Sequence, residues 1–174
     1  NLIFISKWAY YTDGDHFGAN LNFLSLKPQR SSNKALSREA FEQGLISTLK
    51  KYEQLEKNVF IVEQAPQQII NPKQIYYRSF DKDNFKFTNK LTHYSLNLKE
   101  HQKHQIFVKK IFNKFEINYK NLTLINLNDI FCNNSEDKCL VGNKKHSFYI
   151  NESHLSTHGA NLTKNKFANI IKKF

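Results

Sequence analysis

The sequence predicts an α/β domain in which a parallel sheet carries helices on both faces. Short apolar runs alternate with stretches of helical periodicity, in the order strand, helix, strand, helix, strand, loop, helix. The second run, Asn58-Val-Phe-Ile-Val-Glu63, is apolar at both parities, as a strand covered on both faces requires. With 174 residues, 40% hydrophobic, and only 5 Gly and 3 Pro, the chain has the means for one core of ordinary size. The same figures argue against disorder and collagen-like repeats.

Leu2–Ile5 is a short apolar strand. Ser6-Lys-Trp-Ala-Tyr-Tyr11 leads from it into a long polar segment, Thr12 to Leu36, holding Gly14, Gly18 and Pro28. Loops of that length are often functional. Ser37 is placed to cap a helix over Arg38–Glu56, with Phe41, Leu45, Leu49, Tyr52 and Leu55 on one face and Lys50, Lys51 and Glu53 on the other. The second strand ends in the turn Gln64-Ala65-Pro66. Gln67 to Tyr94 is aromatic-rich and irregular, with Tyr76, Tyr77, Phe80, Phe85 and Phe87.

A second helix is predicted over Leu96–Asn118, with Ile106, Ile111 and Phe115 among its apolar positions. Leu122–Leu127 is the third strand. The last helix runs from Ser156 or His158 to Lys173, with Leu162, Phe167, Ile170 and Ile171 inward. Ligands of open α/β sheets gather outside the carboxyl ends of the strands. Trp8, Pro66 and the segment before His154 are expected at that edge.

No apolar run approaches the roughly 20 residues that span a bilayer, and the start is too short for a signal peptide. The absence of Met is what a processed or excised piece shows, and the opening in an apolar strand predicts sequence upstream of Asn1. A formal charge of +11, mostly from Lys, favours anionic partners. A solvated basic surface and a dedicated anion site both remain open. The scarcity of Arg argues against nucleic acid, which Arg forks usually read.

Cys132 and Cys139 form neither a C-x-x-C motif nor a zinc set. Their separation suits a disulfide closing a tight loop in an oxidising compartment, with two reduced thiols as the alternative. No metal or nucleotide cofactor is implied. His93, His101 and His104 lack the carboxylate pattern of a metal site beyond Glu100.

The densest signal is Phe148-Tyr149-Ile-Asn151-x-x-His154-Leu155-Ser156-x-x-Gly159-Ala160. A serine hydroxyl is a poor nucleophile until a positioned imidazole takes its proton. A neighbour three residues back, at the mouth of a helix, can orient such an imidazole. The bland readings are a helix-start His154, a surface or capping His158, an N-cap Ser156, and small residues at Gly159 and Ala160 for close helix packing. Trp8 is either a core aromatic or a wall of the site.

Several features occur in one order: Lys7-Trp8-Ala9-Tyr10-Tyr11 after an apolar strand, Gln64-Ala65-Pro66-Gln67 after another, Ile75-Tyr-Tyr-Arg, the paired-cysteine loop, and the Asn151–Ala160 segment. Together they resemble the SGNH domain fused to membrane acyltransferase-3 proteins, over essentially the whole chain. The resemblance implies a flavodoxin-like α/β/α fold, an SGNH hydrolase-like sheet here lacking its first strand, in a single domain over 1–174. It implies an extracytoplasmic O-acyltransferase moving an acyl group through a Ser ester to a surface polysaccharide, with the membrane domain as partner. The nucleophilic Ser of the family's G-D-S-H block is not in this chain. His154 falls on the family's His; Asn151 stands where the family has Asp. A degenerate, non-catalytic domain that binds glycan or docks on its membrane partner is the alternative.

Overall fold

The computed structural model describes residues 1–16, 22–27, 33–78 and 84–171. Gly18, Pro28, Phe80 and the Lys173 end of the last helix lie outside the described residues. The elements are β1 (Leu2–Ile5), α1 (Trp8–Asp13), α2 (Lys34–Gln54), β2 (Val59–Val62), α3 (Pro72–Arg78), α4 (Asn84–Tyr94) and β3 (Leu96–Asn97). They continue with α5 (Leu98–Asn118), β4 (Leu122–Ile125), α6 (Asn128–Phe131), β5 (Cys132–Asn133), β6 (Lys138–Cys139) and α7 (Thr157–Ile171). The chain divides into two compact units, Asn1–Gln64 with His104–Asn126, and Ala65–Lys103 with Leu127–Phe174.

The first unit holds the parallel sheet, in the order β1-β2-β4. Leu2, Val59 and Leu122 stand in one row, and Ile5, Val62 and Ile125 in another. Val59 and Ile61 pack with Phe41, Leu45 and Leu49 of α2 and with Val108, Ile111, Phe112 and Phe115 of α5. Phe60 and Val62, of the other parity, are buried as well. Both faces of the central strand are therefore covered, which is why its sequence does not alternate. A parallel sheet flanked by helices is the α/β/α arrangement expected.

Several boundaries differ from the sequence expectation. The helix α2 starts at Lys34, and Asn33 caps it by accepting from Leu36 N at 3.0 Å. Ser37 lies inside the first turn, fully buried. Its hydroxyl accepts from Leu24 N at 2.8 Å and donates to Tyr11 O, tying two earlier segments to α2. A cap contributes about 1 kcal/mol, against about 1.5–3 for each buried Phe or Leu, so packing fixes where α2 lies. Leu55 follows the helix and is exposed. Trp8, in the segment that leads from β1, opens α1. The turn residue Gln64 caps that helix, its Oε1 accepting from Ala9 N at 3.1 Å. On α5, Ile111 and Phe115 are buried, but Ile106 is 62% exposed.

The second unit carries the small antiparallel sheet β3-β6-β5. The region read as irregular contains α3 and α4. Leu96 and Asn97 belong to β3, so α5 begins at Leu98. Asn97 Oδ1 accepts there from Lys99 N at 2.9 Å and Glu100 N at 3.3 Å. On α7 Ile170 is buried and Phe167 half-buried, whereas Leu162 and Ile171 are exposed.

Candidate active site

The site grows from the cysteine hairpin. Cys132 and Cys139 sit opposite one another on β5 and β6 and form a disulfide, with Cα atoms 3.8 Å apart. Cys139 is also the ladder partner of Leu96 on β3, and both are fully buried. From the hairpin the chain passes through Val141, whose N–H donates to Ser95 Oγ at 2.9 Å. It then makes a bridge between Gly142 and Ser147. A side chain at Gly142 would overlap the Tyr76 hydroxyl, which points at the Asn143 and His146 carbonyls at 2.6 and 2.8 Å. Burial raises the pKa of that phenol well above its ordinary value.

A second bridge, Tyr149 to Leu155, closes the turn that holds Asn151 and His154. Ile150 N donates to His154 O at 2.8 Å. Within the turn, Asn151 Oδ1 accepts from Ser153 N at 3.0 Å and from His154 N at 2.9 Å. The same oxygen lies 3.0 Å from His154 Nδ1. Two main-chain donors require an oxygen at that position, so the amide orientation is fixed by the turn itself. Nδ1 must then carry the proton, and in the neutral ring Nε2 is the lone-pair nitrogen. The imidazole is exposed. Chemically, this is a ring poised to accept a proton at Nε2.

A second turn of the same spacing lacks the ring contact. Asn143 makes the same turn, accepting from Lys145 N at 2.9 Å and His146 N at 2.8 Å. The spacing N-x-x-H is the same, yet the His146 ring stacks on His158 with centroids 4.3 Å apart. The turn alone therefore does not bring the ring back to the asparagine.

Ser156 acts as the cap of α7. Its Oγ accepts from Gly159 N at 3.0 Å and donates to Ser147 O at 2.6 Å. Any side chain at Gly159 would overlap the Phe148 carbonyl oxygen, so glycine is required where α7 meets the segment before the turn. Ala160, expected to serve the same packing, is exposed.

The other candidates are placed elsewhere. Trp8 is half-buried in the first unit, edge-on to Phe41 and Phe112, and donates Nε1–H to Val62 O at 2.7 Å, at the carboxyl end of β2. His101 is buried with Nε2 3.0 Å from Asn128 Oδ1, and His104 Nε2 lies 2.7 Å from Gly14 O. His93 sits against Tyr94. Gln68 was invisible in the sequence: a polar residue after a proline reads as surface loop, yet it is fully buried beside the cysteine hairpin. Only its long-range hydrogen bonds reveal it.

A family model described as "SGNH domain (fused to AT3 domains)" matches residues 1–169. No curated protein and no solved structure matches the chain.

Proposed function

The chain belongs to the SGNH domain family fused to AT3 domains, and from that premise we propose that it moves an acyl group, most simply acetyl, through a serine ester to a sugar hydroxyl of a cell-surface polysaccharide. Membership by itself assigns an acyltransferase- or esterase-associated role. The observation that supports the finer reading is His154, held at Nδ1 by Asn151 Oδ1 so that Nε2 carries the lone pair. The match runs through both compact units, which we read as one SGNH domain.

In this reading a serine from a G-D-S-H block, which these 174 residues do not contain, is the nucleophile. His154 Nε2 takes the serine proton as the oxygen attacks the donor's acyl carbon, and returns a proton to the leaving group. In the second half it takes the proton of the sugar hydroxyl, which attacks the ester carbon, and gives that proton to the serine oxygen as the acyl–serine bond breaks. Asn151 orients the ring through both halves. It brings no charge, so it stabilises the transient imidazolium less than an aspartate does. Trp8, half-buried at the carboxyl end of β2, is our candidate for a sugar or acyl contact within the first unit.

Among the described residues no helix is long and apolar enough to cross a membrane. The AT3 domain is the membrane-embedded partner and the source of the acyl donor in this scheme. The Cys132–Cys139 disulfide fits a site outside the cytoplasmic membrane.

One observation favours a second reading, a glycan-binding or docking module: the residue orienting His154 is an uncharged amide. Acyl transfer by the intact membrane protein, wild type against Asn151→Asp, separates the two. An acyltransferase gains about tenfold or more in rate when the charge is supplied. Absence of transfer in both forms, with polysaccharide binding retained, establishes the binding module instead.

A further inference from the structure

We infer that Gln68 is the positioning residue of the His154 turn, linking it to the disulfide hairpin. The inference rests on the reading of His154 as the base and adds a residue to that machinery. Gln68 has 0% of its surface exposed. Its Nε2 donates to Cys139 O at 3.1 Å, and its Oε1 accepts from Leu96 N at 3.1 Å. Cys139 and Leu96 are ladder partners, and Cys139 is covalently closed onto Cys132. The side chain is thereby fastened to the disulfide-closed hairpin.

The main chain of Gln68 faces the turn. Its N–H donates to Glu152 O at 2.7 Å. The Glu152 carbonyl and the Ser153 N–H belong to one planar peptide group, pointing in opposite directions. Gln68 holds the carbonyl end. Asn151 Oδ1 receives the N–H end, at 3.0 Å. The peptide plane is clamped from both sides, which fixes the Asn151 oxygen that in turn meets His154 Nδ1 at 3.0 Å. Tyr149, fully buried next to the turn, has its phenol pKa raised by burial.

Gln68 thus touches no reacting atom and acts through the peptide 152–153. Removing its side chain takes away the bonds to the Cys139 carbonyl and Leu96 N–H and lets residue 68 drift, so Glu152, and then Asn151, lose their reference. The ring then samples the Nε2–H tautomer, which cannot accept a proton at Nε2.

The test is long-range ¹⁵N–¹H correlation on His154 in this chain, for wild type, Gln68→Ala and Gln68→Glu. Wild type is expected to be almost wholly Nδ1–H when neutral, and both variants to shift substantially toward Nε2–H with circular dichroism unchanged. In the intact protein the same variants should lower kcat by about tenfold to a hundredfold with KM held. Folded variants with an unaltered His154 tautomer overturn the inference. Should neither variant fold, wild-type amide exchange decides: Gln68 N–H is expected to exchange as slowly as Leu96 N–H, and exchange at the rate of an open loop overturns the clamp. A tautomer shift accompanied by full transfer activity sinks the role of His154 as base while leaving the clamp in place.

Discussion

The oxygen of Asn151 gathers three N–H groups, two from the main chain and one from the His154 ring. An aspartate makes the same turn, so the local fold tolerates either residue and only the imidazolium senses the difference. The N-x-x-H spacing was legible in the sequence because the turn is local. The fixed amide orientation was not, since it depends on which atoms face Ser153 and His154 N–H. Gly159 was legible as a small residue, but its partner was not. What it meets is the Phe148 carbonyl, brought there by the bridge between Tyr149 and Leu155. Gly159→Ala therefore forces backbone apart; a loss of about 2–3 kcal/mol is expected, read as a lower midpoint in urea denaturation with an unchanged slope.

At the scale of elements, the central strand was legible because burial on both faces leaves an unbroken apolar run, while β1 and β4 were legible as short, mostly apolar runs that are only partly buried. The short helices α1, α3 and α4 were not. α1 has six residues and takes its cap from Gln64, 55 positions away, a contact no local window contains. Ile106 and Leu162 show the converse: apolar residues at helical spacing that the fold leaves exposed. The end of α2 also escaped the sequence. Glu56 adopts a left-handed conformation, φ 54°, with its N–H to Glu53 O and Lys57 N–H to Tyr52 O, both at 2.9 Å. This is a Schellman stop with a glutamate in the position that favours glycine. Glu56→Gly should raise stability by about 1 kcal/mol, measured as a higher denaturation midpoint; a drop would show that the glutamate side chain holds the stop.

For the whole molecule, acid stability separates into two windows. Burial, and then the neighbouring His104 ring 4.1 Å away, lower the pKa of His16 from 6.5 to about 4, against the opposing pull of Asp15. Between those values the unfolded chain takes up a proton that the folded chain refuses, so stability declines as pH falls from 6.5 toward 4. At Asp13 burial acts to raise the pKa, but hydrogen bonds from Arg38, Lys34 and Thr12 outweigh it and the net shift is below 3.8. Its contribution is complete above 3.8 and lost as pH falls through the lower folded value. His16→Gln is expected to flatten the stability curve between pH 4 and 6.5 and leave the loss below pH 4 in place; an unchanged slope in that window would place the acid sensitivity elsewhere.

The proposed chemistry turns on one ring. In the intact membrane protein, acyl transfer to polysaccharide should fall by about a thousandfold or more in His154→Ala, while His158→Ala, which removes an imidazole one turn further along, keeps nearly wild-type rates. Transfer that survives His154→Ala undiminished, in protein that still folds and carries its disulfide, contradicts the assignment of His154 as the base.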